Sequence, residues 1–409
     1  MKLPRLVILL VLALAGATVS SASAYASPGF GHHPSFRGGH HPSFPRPPHP
    51  PFPVPPHAPI VVGQAYVNDN TAGENTIAGF DRNADGSLTP IPGSPFPAGG
   101  AGSAAGLASQ GALQLSSDGR YLLAVDAGSN QISVLRLGIG GAPQPVGAPV
   151  PSGGSDPVSI AVSGNLVYVA NAGAGDTNVT GFILAPNGTL YPLPNSTVAL
   201  PEGSGPADVL FNPTGQKLVV TLVNTATIAS YDVRFDGRLI AAPGSPFPAQ
   251  GPGPFGSEFR PTNPSQLFVS NAHGGEGNGT VSAFNDSSSG ELTSIGSSPF
   301  ADLQTAPCWV EISHDGQFLF TVNTGSGEIS SYAIYPNGSL VLLSSTPFGS
   351  AGAGAVDARL SPNGRTLLVN GSQANVIASF AVNGGNLTEL PSSPTPLPAG
   401  AVASGIVVD

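Results

Sequence analysis

Residues 313–343 read SHDGQFLFTVNTGSGEISSYAIYPNGSLVLL. Ser313-His-Asp-Gly316 has the composition of a tight turn, since Asp and Ser bond back to the chain and Gly accepts a positive φ. Phe318-Leu-Phe-Thr-Val-Asn323 is a run of aromatic and β-branched residues, too short for a helix and suited to a strand covered on both faces. After a polar loop, Glu328-Ile-Ser-Ser-Tyr332 alternates in character, as a strand does. Tyr335-Pro-Asn-Gly338 is a second turn, and Leu340 opens another strand.

The same arrangement recurs on either side. Second strands are expected at Ala65–Asn68, Leu122–Asp126, Val167–Asn171, Leu218–Thr221, Leu267–Asn271, Phe318–Asn323 and Leu367–Asn370, seven in all. Third strands follow them, among them Thr76–Phe80, Gln131–Leu135, Thr280–Phe284 and Asn375–Phe380. A repeat of about 40–50 residues carrying four short strands is the pattern of a propeller blade. The first repeat begins at its second strand, and the chain ends in Ala403-Ser-Gly-Ile-Val-Val-Asp409, an inner strand with no blade after it. The expected fold is therefore an all-β, seven-bladed β-propeller over residues 61–409, closed by the C-terminal strand, which leaves no open edge in the ring. Composition agrees. The 409 residues include 55 Gly and 44 Pro but only 9% charged residues, against 40% hydrophobic, which argues against long amphipathic helices and against disorder of the whole chain.

The first 60 residues differ. Lys2 and Arg5 precede an apolar stretch, Leu6 to Ala17, and small residues at Ala24 and Ala26, so residues 1–26 read as a cleaved signal peptide and the protein as secreted or periplasmic. No later stretch is long enough to be a membrane-spanning helix. Residues 27–60 hold 12 Pro and 6 His and no acidic residue, and are expected to form a disordered, proline-rich linker. His32, His33, His40 and His41 there are candidate weak ligands for Cu, Ni or Zn, because imidazole suits those metals. All 23 acidic residues lie after Ile60, so the body is a poor fit for nucleic acid. Cys308 is the only cysteine, which excludes an internal disulfide. Loop acids Asp69, Asp126 and Asp176 lack the spacing of a calcium loop. No cofactor is expected, the partner is a small molecule or protein of unread identity, and the chain is expected as a monomer.

The turns SHDGQFLFTVN and SPNGRTLLVN, the VSAF third strand and the fourth-strand entries NGSL and SGELTSI together resemble the lactonase-type seven-bladed propellers, the family of 6-phosphogluconolactonase and the carboxymuconate-lactonizing cyclases. YVTN-type propellers share much of the pattern. The resemblance implies a site on the inner strands at the central channel, where the family carries histidine signatures. The matching stretches here, Gly205–Asn212, Gly256–Arg260, Pro307–Ser313 and Ala355–Ser361, contain no histidine. The resemblance without those residues points to an exported propeller that binds a ligand or protein. The alternative is an active lactone hydrolase or cyclase.

The inner strands do carry polar groups at a period of two. Gln114, Glu258, Glu311 and Arg359 stand two residues before their turns, and Asp208, Trp309 and Asp357 stand four before, while Val209, Val310 and Leu360 alternate with them. One face of each strand is thus ionisable and should look into a solvated channel. Glu258, Glu311 and Arg359 are the candidate catalytic residues, a carboxylate base with an arginine able to hold an anion. Asp208, Trp309, Asp357 and Gln114 are the candidate ligand contacts.

Overall fold

The computed structural model describes residues 59–349 and 354–409. The signal peptide, nearly all of the linker and its four candidate metal-binding histidines lie outside them.

Seven antiparallel sheets follow one another along the described chain, six of them with their first four strands in the order of the sequence. Blades two to seven begin with inner strands at Leu113–Leu115, Pro157–Ser163, Pro206–Phe211, Pro254–Arg260, Pro307–Ile312 and Ala355–Leu360. Blade one takes its inner strand from the end of the chain. Ile406–Val408 pairs with Val61–Asn68, placing Ala65 opposite Val408, Tyr66 opposite Val407 and Val67 opposite Ile406. Consecutive inner strands touch all the way round, from blade seven through Ile406–Val408 to blade two. The expected seven-bladed ring and its closure are both present.

The turns explain the repeated Ser-x-Asp/Asn-Gly sequences. Ser313 Oγ accepts from Phe318 N (2.9 Å) and donates to Asp315 Oδ1 (2.6 Å). Ser116 and Ser361 do the same with Tyr121 N and Asp118, and with Thr366 N and Asn363. Each hydroxyl thus satisfies a backbone donor that the turn leaves without a ladder partner.

The core consists of the seven interfaces between blades. Tyr66, Ile77 and Ile91 of blade one meet Leu113, Leu122 and Leu135 of blade two. Tyr121, Leu123 and Val125 of blade two meet Val167, Val169 and Phe182 of blade three. Leu368 and Ile377 of blade seven meet Ala65, Phe80 and Ile406 of blade one. Each blade is buried on both faces, which is why the second strands are continuous apolar runs and do not alternate. The asparagines ending those strands are fully buried, and three of them bond to their own third strand: Asn171 Nδ2 donates to Asn178 Oδ1 (2.9 Å), Asn271 Nδ2 to Ser282 Oγ (2.8 Å) and Asn323 Nδ2 to Ser330 Oγ (2.9 Å). The small third-strand residues therefore do more than permit close packing.

One element goes beyond the expected four strands. In six blades the crossing folds back as a two-residue strand on the third strand, as Phe96–Pro97, Phe247–Pro248 and Phe300–Ala301 do; blade six has a single eight-residue outer strand, Leu340–Pro347, in its place. The irregular turn of blade two forms a short 3-10 turn, Ile139–Gly141.

Candidate functional site

Inner strands are the edges of their sheets, so the N–H groups on their channel side need acceptors from elsewhere. Leaving such a donor buried and unpaired costs about 1–3 kcal/mol. The ionisable side chains supply those acceptors. Ser159 Oγ of blade three accepts from Val209 N of blade four (3.1 Å), and Asp208 Oδ2 of blade four accepts from Ser257 N and Oγ of blade five (3.0 and 2.7 Å). Glu258 Oε2 accepts from Ile312 N of blade six (2.7 Å), and Glu311 Oε1 accepts from Leu360 N of blade seven (2.8 Å). Asp357 Oδ2 accepts from Ile406 N of the closing strand (3.2 Å). A belt of side chain to backbone bonds thus runs from blade three to blade one.

Arg359 lies inside this belt. Its Nη1 donates to Glu311 Oε2 at 3.0 Å. Burial lowers its pKa, but the negative charges of Glu311, Asp357, Glu258 and Asp208 outweigh that and raise it, so it stays a cation. Burial in turn pushes the acids up: Asp208 to about 7 and Asp357 to about 6, with Glu258 and Glu311 raised as well, Glu258 further by its neighbour Glu311.

The expected solvated channel is only partly built: Gln114, Glu258 and Arg359 keep some exposed surface, but the middle of the ring is closed. The crossing from blade one to blade two drops Ser109 and Gln110 into the centre of the ring. Gln110 N donates to Ala207 O (2.9 Å), its Nε2 donates to Ser257 O (3.1 Å), and its Oε1 accepts from Val310 N (3.0 Å). Trp309 reaches across from blade six, its Nε1 donating to Ser109 O at 2.9 Å. Gln110 and Trp309 are 4% and 5% exposed, so the centre is filled by side chains. Gln110 is absent from the candidates above; an amide inside the Gly/Ala/Ser-rich run Ala101–Ala112 was the only sign of it.

Filling the centre separates the candidates into two groups. At the end where the inner strands begin, Leu107, Phe255, Cys308, Trp309, Val356 and Asp357 line a pocket of about 250 Å³, with Thr324, Ser372 and Ser404 at its margin. Glu258, Glu311 and Arg359 do not line it. They sit together nearer the strand-ending turns, at the level of Gln114 and Leu210, which line a second opening of about 350 Å³. Asp357 is the extra residue of a bulge between Val356 and Ala358, with a φ of +23°, which is how an acid can both line the first pocket and hold Ile406 N. Cys308 is buried, and burial raises its thiol to about 11, so it is an inert wall.

Among the described residues, no group of three His, Cys, Asp or Glu could hold a metal ion. Asp126 is committed to Ser133 Oγ (2.5 Å) and Asn75 Nδ2 (2.9 Å), and Asp176 accepts from Ser155 Oγ (2.5 Å).

Residues 259–356, from blade five to the start of blade seven, match the family model described as lactonase, 7-bladed beta-propeller. The chain shares the fold of the lactonase propellers. A candidate 6-phosphogluconolactonase of Bacteroides uniformis is similar at 22% identity and a TM-score of 0.69, the match covering 85% of this chain and 99% of that one. The periplasmic gluconolactonase of Pseudomonas aeruginosa is similar at 19% identity and a TM-score of 0.67, covering 85% and 98%. A protein from Lactobacillus plantarum gives 19% identity and a TM-score of 0.66, covering 85% and 99%. No curated protein matches the sequence.

Proposed function

We propose that the protein is a ligand-binding propeller acting outside the cytoplasm, with its ligand in the pocket beside Trp309 and Asp357. The observation that carries this reading is the employment of Glu258 and Glu311. Each carboxylate is held by the next blade's backbone, and Glu311 also by Arg359. A general base must be free to reach its substrate's proton; these two are tied into the ring.

A panel of sugar and aliphatic lactones tests it. The native chain is expected to turn over none of them. Glu311→Gln keeps an acceptor for Leu360 N but removes the charge that pairs with Arg359, leaving it the more distant Asp357, Glu258 and Asp208, which costs about 1–3 kcal/mol. A lowered thermal midpoint with no activity to lose is the expected result. Lactone hydrolysis by the native chain, abolished in a Glu311→Gln variant that still folds, overturns the reading.

One observation favours the second reading, a lactone hydrolase. Glu258 Oε1 and Arg359 Nη2 make no hydrogen bond within the described protein, leaving one acceptor and one donor uncommitted. The same lactone panel decides between the two.

The extracellular placement rests on the basic, apolar and small-residue order of residues 1–26. N-terminal sequencing of protein recovered from a secreting host is expected to begin at Ser27, or at Tyr25 if cleavage follows Ala24. A mature chain beginning at Met1 overturns the placement.

A further inference from the structure

The hydroxyl hydrogens around the pocket beside Trp309 are already committed to backbone carbonyls. Ser109 Oγ donates to Val158 O (2.7 Å), Thr324 Oγ1 to Ala355 O (2.9 Å), Ser372 Oγ to Gly354 O (2.8 Å) and Ser404 Oγ to Val402 O (2.9 Å). Trp309 Nε1 is spent on Ser109 O. A hydroxyl whose hydrogen is committed can still accept but no longer donate, and an ionised carboxylate such as Asp357 only accepts. Among the described residues, no Lys, Arg or His lines the pocket. Arg359, from the neighbouring belt, is engaged by Glu311.

The remaining wall is apolar. Phe255 and Trp309 meet edge to face, ring centres 5.2 Å apart at 66°, and Leu107 and Val356 complete it. A cavity of about 150 Å³ suffices for a benzene ring, so this pocket of about 250 Å³ has room for one ring and its substituents.

Resting on the ligand-binding reading above, we infer that the pocket takes a compact, mainly apolar molecule that donates hydrogen bonds and carries no negative charge, and that it excludes phosphorylated and carboxylate ligands. An anion entering it gives up its hydration and meets, among the described residues, no side-chain donor or countercharge to set against the charge of Asp357. A hydroxyl or ammonium group finds hydroxyl oxygens and a carboxylate. The inference separates this pocket from any that holds a sugar phosphate.

The chain has one tryptophan, and it lines the pocket, so its fluorescence reads occupancy directly. The full chain is titrated at pH 8 with benzyl alcohol, benzylamine and benzoate, which share a ring and differ in the group attached. Benzyl alcohol and benzylamine are expected to shift Trp309 emission saturably, with benzoate at least about tenfold weaker. Asp357→Asn removes the repelling charge and is expected to narrow the gap between benzoate and benzyl alcohol to about threefold or less. If that variant does not fold, Ser372→Ala carries the test: loss of an acceptor weakens benzyl alcohol several-fold and leaves benzoate unchanged. Benzoate binding as tightly as benzyl alcohol overturns the ligand class and leaves the pocket standing. No saturable change with any of the three probes overturns the pocket itself.

Discussion

Deleting Ala403–Asp409 is expected to remove cooperative folding of the ring, or to lower its thermal midpoint by more than about 10 °C. Ile406, Val407 and Val408 are 0%, 3% and 8% exposed. Ile406 and Val408 fill the interface between blades seven and one, and Val407 the interface between blades one and two. At about 1.5–3 kcal/mol for each buried aliphatic side chain, their loss approaches the roughly 5–15 kcal/mol that is the whole stability of an ordinary domain. The deletion also exposes the edge of Val61–Asn68 and leaves Asp357 without Ile406 N. Gly405→Ala is a milder form of the same lesion. Gly405 has a φ of +86°, and a Cβ there would lie 2.6 Å from Leu113 N of blade two. Circular dichroism during heating reads both variants. A deletion mutant that melts within about 5 °C of the native chain would show that the closing strand is dispensable.

That strand was legible in the sequence because a repeat exposes its own exceptions. Five repeats showed an inner strand, the first showed none before its second strand, and the last seven residues matched the missing piece. The inner-strand face was legible for a similar reason. A period of two assigns Glu258, Glu311, Asp208 and Trp309 to one side of their strands whatever the fold does next. It does not reveal what stands opposite. The N–H groups that occupy Glu258 and Glu311 belong to residues 54 and 49 positions away, on the next blade. The contact that fills the channel joins Trp309 to Ser109 across 200 residues. Such pairings follow from closure of the ring at seven blades, and no local pattern encodes them. The fate of the hydroxyl hydrogens was hidden too, because nothing local to Ser372 or Ser404 shows which carbonyl its hydroxyl meets. The two-residue strands escaped notice because Phe96-Pro97 and its counterparts are too short to show any period.

The thermal midpoint is expected to be higher at pH 5 than at pH 8, the reverse of what salt-bridged surface acids give. Eight aspartates are raised by burial, the largest cause in each: Asp69 and Asp208 to about 7, Asp126, Asp286, Asp302 and Asp357 to about 6, and Asp156 and Asp409 in the same direction. An unfolded aspartate titrates near 3.9. Between about pH 4 and pH 7 the folded chain therefore holds protons that the unfolded chain has already released. Stability then falls as pH rises through that window, by about 1.4 kcal/mol per pH unit for each proton retained. Glu258 and Glu311 shift the same way. Asp85, Asp118 and Asp236 are lowered, foremost by hydrogen bonds from Ser87, Ser116 and Arg238, but these acids stand at the surface, where solvent screens them and little stability follows. At roughly 2–4 °C per kcal/mol, a net retention of one proton places the midpoint at pH 8 several degrees below that at pH 5. Asp286 isolates the cause. Both of its carboxylate oxygens are buried without a hydrogen-bond partner among the described residues, and Lys217 only partly offsets the cost of its charge. Asp286→Asn removes a charge that has to be buried at pH 8 and is already neutralised at pH 5. The variant is therefore expected to gain stability at pH 8, to change little at pH 5, and to flatten the profile between them. Midpoints that climb from pH 5 to pH 8 in the native chain would show that these carboxylates find partners or water in solution and ionise at the ordinary pH.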